Sequence, residues 1–257
     1  MGLRAVSETL LRLEGVGQVF GAVEVIGGID FEVRRGEFVA LVGPSGCGKT
    51  TLLNLCSGWL RPTRGIVERP SRLRMIFQED GLFPWYTVGE NVRLGLRHVE
   101  EGPEREARAG ALLDLVSLRG FESHYPHQLS GGMRQRVELV RALGGEADVL
   151  LMDEPFSSLD YLTRLRMRAE LARLLRESPR TVVLVTHDIE EAAQLADRVL
   201  VLTERPARIR EEVRLSLPRP REATQPEVVH AVHHILAGLG LESEPEPVAA
   251  AGGRKER

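Results

Sequence analysis

The sequence is poor in the residues and runs that mark several classes of protein. It has 2 cysteines among 257 residues, too few for a disulfide framework. No apolar run approaches the roughly 18 residues that a membrane-spanning helix requires, and the N-terminus lacks the pattern of a signal peptide. A formal net charge of −3 does not indicate the basic surface of a nucleic-acid-binding domain. We therefore expect a chain without a membrane span that does not bind nucleic acid.

Lysine is equally scarce, since it occurs only as Lys49 and Lys255. Arginine carries nearly all of the positive charge, which suggests that position 49 has a role that arginine cannot fill. Lys49 lies in the run Gly43-Pro-Ser-Gly-Cys-Gly-Lys-Thr50, which fits the phosphate-binding pattern G-x-x-x-x-G-K-[ST]. For a chain of this composition, chance gives roughly 0.002 matches to the pattern. The run therefore predicts a nucleotide site.

The segments on either side of this loop support that prediction. Residues 38–42 form a short continuous apolar run, typical of a buried parallel strand, and residues 50–55 have the leucines of a helix. Backbone N–H groups of the loop can bind phosphates, the Lys49 ammonium can reach the β- and γ-phosphates, and the Thr50 hydroxyl can ligate Mg²⁺. The predicted nucleotide-binding residues of the loop are Gly43, Pro44, Ser45, Gly46, Cys47, Gly48, Lys49, Thr50 and Thr51.

The pattern of apolar residues predicts one α/β unit with a helical insertion. Residues 8–42 alternate apolar and polar side chains with glycine breaks, including one at Gly27-Gly28, which predicts short antiparallel strands. Residues 72–78, 149–152 and 182–185 are further strand candidates, and their alternation with helices favours a parallel sheet. We expect a single domain over residues 8–241, a helical subdomain at about 87–147 and a disordered tail at 242–257.

Two amphipathic faces are predicted for helices of this unit. The first comprises Ala111, Leu112, Leu115 and Val116, and the second comprises Leu162, Leu165, Ala169, Ala172 and Leu175. The second helix is rich in arginine, but acidic residues are interspersed with the basic ones. We therefore interpret its arginines as a solvated face and not as a nucleic-acid site.

Two carboxylates end the apolar run at 149–152. The C-terminal edge of a parallel sheet faces the ligand crevice, which predicts Asp153 near Mg²⁺ and Glu154 near the γ-phosphate. A carboxylate beside the γ-phosphate can polarise an attacking water molecule. Glu154 is therefore the candidate general base.

The run Leu129-Ser-Gly-Gly-Met-Arg-Gln135 resembles the signature motif of ATP-binding cassette (ABC) proteins. Further motifs follow in that family's order: Gln78 at the end of a strand, Asp153-Glu154, Ser157-Ser-Leu-Asp160 and His187. The resemblance covers about residues 8–210. It implies a P-loop NTPase (RecA-like) core with an antiparallel β subdomain and an inserted α-helical subdomain.

The resemblance also implies an ATPase that works as a head-to-tail dimer, with each ATP between one copy's loop and the other copy's signature motif. On that basis Ser130, Gly131, Gly132 and Gln135 act in trans, and Asp160 communicates across the interface. The implied catalytic residues are Glu154, His187 and Lys49, and the implied Mg²⁺ ligands are Thr50, Gln78 and Asp153. Phe20 is expected to stack on adenine, with core packing as the alternative.

Three longer runs resemble the nitrate/sulfonate/taurine importer ATPases: Phe77-Gln-Glu-Asp-Gly-Leu-Phe-Pro-Trp85, Tyr125-Pro-His-Gln-Leu-Ser130 and His187-Asp-Ile-Glu-Glu-Ala192. That resemblance implies transmembrane permease subunits as partners, a solute-binding protein as an indirect partner, and a peripheral location on the cytoplasmic face of the membrane. Phe83 and Trp85 are expected to face the permease, with subdomain packing as the alternative. The alternatives are the ATPase of another importer or of an exporter, a soluble ABC ATPase, and a P-loop kinase or GTPase.

Overall fold

A computed structural model describes residues 8–77 and 81–241 of the chain. Two predictions therefore lie outside the described residues: the role of Gln78 and the disordered tail at 242–257. The strands are β1 (Thr9–Phe20), β2 (Val23–Arg34), β3 (Phe38–Val42), β4 (Arg64–Glu68), β5 (Leu73–Ile76), β6 (Val149–Asp153), β7 (Thr181–Val185), β8 (Arg198–Leu202) and β9 (Ile209–Arg214). The helices are α1 (Lys49–Ser57), α2 (Val88–Gly95), α3 (Pro103–Leu115), α4 (Gly131–Leu143), α5 (Tyr161–Glu177), α6 (Ile189–Leu195) and α7 (Pro226–Gly238).

A six-stranded sheet of order β5-β6-β7-β3-β8-β9 forms the centre of the fold. Its strands are parallel except β9, which pairs antiparallel with β8. Every residue of β3, β6, β7 and β8 is buried, because helices and a second sheet cover both faces. The carboxyl ends of β3, β6 and β7 therefore meet at one edge, where the chain continues into the Lys49 loop, Glu154 and His187.

A three-stranded antiparallel sheet of order β2-β1-β4 packs against the α1 face of the central sheet. The expectation of short strands broken at Gly27-Gly28 is wrong, because β1 and β2 are each 12 residues long. Gly27 stays in the ladder opposite Gly17, and its N–H donates to the Ala207 carbonyl at 2.9 Å. The glycine is needed for close approach, since a Cβ there would lie 3.0 Å from Pro206 Cβ.

The helical segment between β5 and β6 packs on the opposite face of the central sheet, and its core is continuous with that of α5, α6 and α7. The predicted faces of α3 and α5 are only partly correct. In α3 the buried residues are Ala109 and Leu113, whereas Ala111 is exposed. In α5 the buried face is Met167, Arg168, Leu171, Ala172 and Leu175, whereas Leu162 and Ala169 are exposed. Among the residues the structure describes, no helix combines the length and apolar character needed to cross a bilayer.

Candidate nucleotide-binding and active site

The loop between β3 and α1 presents backbone N–H groups at the start of a helix. Gly46 and Gly48 have φ values of 72° and 123°, in the region that favours glycine. At Gly48 a side chain is also excluded by contact, because a Cβ would lie 2.9 Å from Val25 Cγ1. Among the described residues no side chain caps the N-terminus of α1, so its first-turn amides are available to an anion.

Lys49 lies against the same loop. Its side chain is nearly buried, and Nζ donates to the carbonyl oxygens of Gly43 at 2.8 Å and Pro44 at 3.0 Å. Both bonds go to neutral carbonyl oxygens, which hold the ammonium beside the loop amides. The loop thus combines a fixed cation with helix-end dipoles, which is the arrangement that binds phosphate.

An open cleft of about 490 Å³ brings most of the predicted nucleotide residues together. It is lined by Phe20, Val25, Ser45, Gly46, Gly48, Lys49, Thr50, Thr51, Glu154 and Arg205. Phe20 is exposed at the rim, so the alternative that it packs in the core is not supported. Val25 and Arg205 were not predicted from the sequence.

Three predicted loop residues do not line the cleft: Gly43, Pro44 and Cys47. The Cys47 side chain is buried, and burial raises the pKa of its thiol, which disfavours the reactive thiolate. Its N–H donates to the Pro44 carbonyl at 3.2 Å. The buried Cys47 side chain therefore faces away from the cleft, so only its backbone could reach a phosphate.

Asp153 provides a test of the predicted Mg²⁺ site. Its side chain is 2% exposed and lies beside the Thr50 hydroxyl. Its Oδ1 has no hydrogen-bond partner within residues 8–77 and 81–241. Burial raises the pKa of Asp153, and the Glu154 charge adds to the rise, while Thr50 and Lys49 oppose it. A buried carboxylate oxygen without a partner beside a hydroxyl fits the hard oxygen donors that Mg²⁺ prefers.

The described residues contain no cluster of three or more His, Cys, Asp or Glu side chains that could enclose a metal by themselves. Mg²⁺ is commonly bound by one or two protein ligands together with waters and substrate phosphates, and it rarely has a complete protein cage. The pair formed by Thr50 and Asp153 is consistent with such a shared site.

Glu154 and His187 meet at the carboxyl ends of β6 and β7. Glu154 Oε2 lies 3.2 Å from His187 Nδ1, with the glutamate side chain 19% exposed and the histidine 56% exposed. Glu154 has φ 47°, a positive value that among the described non-glycine residues is shared only with Ser117. Such a conformation is costly for a residue with a Cβ and is found mainly at functional sites. Its N–H donates to the Val185 carbonyl at 2.9 Å, which fixes the backbone to β7.

Gln135 packs behind Glu154 of its own chain, which differs from the expectation that it acts in trans. Its side chain is 5% exposed, and Nε2 donates to the Glu154 carbonyl at 3.2 Å. Its Oε1 accepts from the Ser158 N–H at 3.2 Å and from the Ser158 hydroxyl at 2.6 Å. Because both ends of the amide are engaged, Gln135 supports the backbone of Glu154 and is not free to reach a partner's nucleotide.

The rest of the signature motif is exposed at the start of α4. Ser130 is the N-cap, and its hydroxyl accepts from the Met133 N–H at 3.3 Å. Ser130 and Gly131 are exposed, and neither they nor Gly132 line the cleft. Asp160 caps α5 in the same way, and the Thr163 hydroxyl and N–H lower the pKa of its carboxyl. The start of α4, with its neutral Ser130 cap, is therefore an anion-compatible helix end outside the chain's own cleft, whereas the Asp160 carboxylate already supplies negative charge at the start of α5.

A buried charged network supports the segment that carries His187. The Thr186 hydroxyl donates to Glu191 Oε2 at 3.0 Å, and Asp188 Oδ1 accepts from the Glu191 N–H at 3.0 Å. Arg168 of α5 pairs with Asp188 and lies 3.6 Å from Glu191 Oε2. Burial raises the pKa of Glu191 to about 7. Arg168 is thus buried, so the interpretation of this helix's arginines as a solvated face is wrong for Arg168.

Comparison with known proteins identifies the family. Residues 26–157 match the ABC transporter family. The chain is 46% identical over 235 residues to the aliphatic sulfonates import ATP-binding protein SsuB 1 of Rhodococcus jostii, which covers 89% of this chain and 93% of that protein. The chain belongs to the ABC transporter family. It is also 43% identical over 204 residues to the taurine import ATP-binding protein TauB of a Jannaschia species, covering 76% of each.

Solved ABC cassettes share the fold. A dimeric, post-hydrolysis structure of the ATP-binding cassette MJ0796 bound to ADP and Pi matches with a TM-score of 0.71 at 31% identity, covering 81% of this chain and 100% of that one. A second dimeric structure of MJ0796, a bacterial ABC transporter cassette, matches with a TM-score of 0.72 at 32% identity. The predicted P-loop NTPase fold with its antiparallel sheet and the predicted ABC ATPase identity are therefore confirmed.

Proposed function

We propose that this ABC ATPase is the ATP-hydrolysing subunit of an importer for small sulfonated solutes, coupling ATP use to a separate permease. The relatives named above are import ATP-binding proteins for aliphatic sulfonates and taurine. The observation that carries the proposal is the division of the site. A cleft lined by Lys49, Thr50 and Glu154 occupies one side of the chain, and an exposed Ser130-Gly131 helix end lies outside that cleft.

Hydrolysis of ATP is assigned to Glu154 and His187. The Glu154 carboxylate accepts a hydrogen bond from an attacking water and takes up its proton as the water oxygen attacks the γ-phosphorus. The bond from the γ-phosphorus to the β,γ-bridging oxygen breaks, so ADP leaves and inorganic phosphate is formed. His187, 3.2 Å away at Nδ1, holds the carboxylate in place. The Lys49 ammonium and the loop amides stabilise the charge on the β- and γ-phosphate oxygens. Losing one such preorganised contact typically costs about 10²–10³ in kcat.

Thr50, Asp153 and Gln78 are the residues that would hold Mg²⁺. When bound, the ion neutralises phosphate charge as a Lewis acid. The buried Asp153 carboxylate contributes the negative charge that attracts a cation to this position. The Thr50 hydroxyl contributes a neutral oxygen from the first turn of α1.

A second copy of the chain is proposed to complete each site. The exposed N-terminus of α4 offers the Ser130 hydroxyl and the N–H groups of Gly131 and Gly132 to a γ-phosphate held in the partner's cleft. Asp160 is followed by two exposed hydrophobic residues, Tyr161 and Leu162, which are 67% and 64% exposed. Apolar side chains of this size beside a predicted contact residue are typical of a surface that a partner covers.

A separate surface is proposed to receive the permease. A groove of about 350 Å³ between β5, α2 and α4 is lined by Arg74, Met75, Gly81, Phe83, Leu94, Arg97, Arg141 and Ala142. Trp85 beside it is 65% exposed, and its ring centroid lies 5.5 Å from that of Phe83. The loop is held by buried Asn91, whose side chain bonds both the N–H and the carbonyl of Phe83. Fixed, exposed aromatics favour docking over core packing and suit a peripheral position on the membrane.

Phosphate release from MgATP by the purified chain tests the ATPase part of the proposal. We expect turnover without any phosphoacceptor, which separates an ATPase from a P-loop kinase. Glu154→Gln should retain ATP binding and lose turnover by about 10²–10³. Undiminished turnover in Glu154→Gln would exclude Glu154 as the base.

Solute uptake in the source cells tests the transport part. We expect chromosomal Glu154→Gln to abolish uptake of labelled alkanesulfonate or taurine while leaving sulfate uptake unchanged as the control. Loss of nitrate uptake instead would move the proposal to another solute class. Normal uptake of alkanesulfonate, taurine and nitrate, combined with lost ATPase activity, would contradict a transport role.

A further inference from the structure

Arg205 is a cation at the nucleotide cleft that no sequence motif points to. It lies in the loop between β8 and β9, and its side chain lines the cleft together with Lys49 and Ser45. Its Nε donates to the Gly46 carbonyl at 2.5 Å. The position that a Cβ would take on Gly46 lies 3.1 Å from the NH2 nitrogen, so the guanidinium directly covers the phosphate loop.

The loop that carries Arg205 is held at both ends and in the middle. The Thr203 N–H donates to the Arg208 carbonyl at 2.9 Å, and the Arg208 N–H donates to the Thr203 hydroxyl at 3.0 Å. Between them Ala207 is fully buried and bridges to β2, donating to the Val25 carbonyl at 2.8 Å and accepting from Gly27. Because β2 also supplies Val25 to the cleft, Arg205 extends from a fixed part of the cleft wall.

Most of the hydrogen-bonding capacity of Arg205 is uncommitted. A guanidinium has five N–H donors, and the Gly46 carbonyl uses one of them. Within residues 8–77 and 81–241, the NH1 and NH2 groups have no hydrogen-bond or ion-pair partner. A planar fork held by Nε and open at its other two nitrogens matches the oxygens of a phosphate better than a lone ammonium does.

We propose that Arg205 is a phosphate-binding residue of this ATPase, whose NH1 and NH2 groups donate to the phosphate chain of the bound nucleotide while Nε holds the loop. This inference rests on the nucleotide-binding part of the proposed function. A contact with a carboxylate of the second cassette is the competing role for an exposed arginine. The nucleotide is favoured because the guanidinium lines the cleft itself and is bonded to the phosphate loop.

Nucleotide affinity of three arginine variants tests the proposal. Kd for MgATP is measured by fluorescence competition at several salt concentrations for Arg205→Ala, Arg205→Lys and the control Arg208→Ala. Arg208 is exposed in the same loop and does not line the cleft. We expect Arg205→Ala to raise Kd about tenfold, as loss of one charge-assisted hydrogen bond does. Arg208→Ala should match the wild type.

The salt dependence separates a phosphate contact from a bracing role. If the Arg205 charge meets the phosphates, Arg205→Ala weakens the dependence of Kd on salt and Arg205→Lys restores it. An unchanged salt slope, with a lower Tm in both variants, would show that Arg205 only braces the loop. If Arg205→Ala leaves Kd unchanged but weakens dimer formation in a Glu154→Gln background, Arg205 contacts the second cassette and not the nucleotide. Failure of the wild type to bind ATP would refute the proposed function itself.

Discussion

Replacing Gln135 should impair turnover more than nucleotide binding. Gln135→Ala removes one hydrogen bond to the Glu154 carbonyl and two from Ser158. At about 1 kcal/mol for each bond, the free energy of unfolding should fall by about 3 kcal/mol. The Glu154 carbonyl keeps a bond from the Ser157 hydroxyl at 3.0 Å, so the segment should shift and not unfold. A shift of about 1 Å at a catalytic group can lower kcat about 10²-fold.

Gln135→Glu is the matched variant, because it keeps an oxygen for Ser158 and replaces the nitrogen that faces the Glu154 carbonyl with a second oxygen. Steady-state ATPase kinetics and thermal unfolding of both variants give the assay. We expect kcat to fall about 10- to 100-fold in both, with Tm lowered less in Gln135→Glu. KM for ATP should change little, since Gln135 does not line the cleft. Wild-type kcat in both variants, whatever their Tm, would refute a positioning role for Gln135.

Two further predictions concern buried carboxyl groups near the site. Burial raises the pKa of Asp153 above 3.8, so its contribution to stability is lost as pH rises through the folded pKa. Asp153→Asn should therefore raise Tm at neutral pH without metal. In the wild type MgATP should raise Tm more than ATP alone does, and Asp153→Asn should lose that difference. Burial raises the pKa of Glu191 from 4.5 to about 7, so stability should decline as pH rises across that window. Glu191→Gln should flatten this decline in chemical denaturation from pH 4.5 to 7, and an unchanged slope would contradict the assignment.

The sequence could predict the parts of the fold that depend on neighbouring residues. The apolar runs at β3, β6 and β7 gave buried parallel strands, because a strand covered on both faces needs continuous apolar side chains. The loop glycines follow from a local backbone geometry that other residues rarely adopt, and the adjacent lysine and threonine follow from the phosphate chemistry of the same contiguous motif. The ABC family and the P-loop fold could be predicted for a similar reason, because each of their motifs is short and contiguous. The comparisons confirmed both.

Contacts between distant segments could not be predicted in the same way. Arg205 and Gly46 are 159 positions apart, and the pairing of β8 with β3 and of Ala207 with β2 brings them together. Gln135 carries a family motif, but its burial beside Glu154 depends on how α4 packs against the end of β6. The error in α5 has a similar cause, because the Asp188 and Glu191 carboxylates draw Arg168 inward and rotate the buried face away from Ala169.

Complementation between two inactive variants tests most directly whether each ATP is shared by two copies. Lys49→Ala removes the loop cation, and Gly131→Asp places a negative charge at the signature helix end, where a Cβ meets nothing closer than Arg134 NH2 at 3.8 Å. Each variant alone should be inactive. In a mixed head-to-tail dimer one site pairs the intact loop with the intact signature, so an equal mixture should regain up to about a quarter of wild-type ATPase activity. A mixture no more active than its separate components would contradict the shared site.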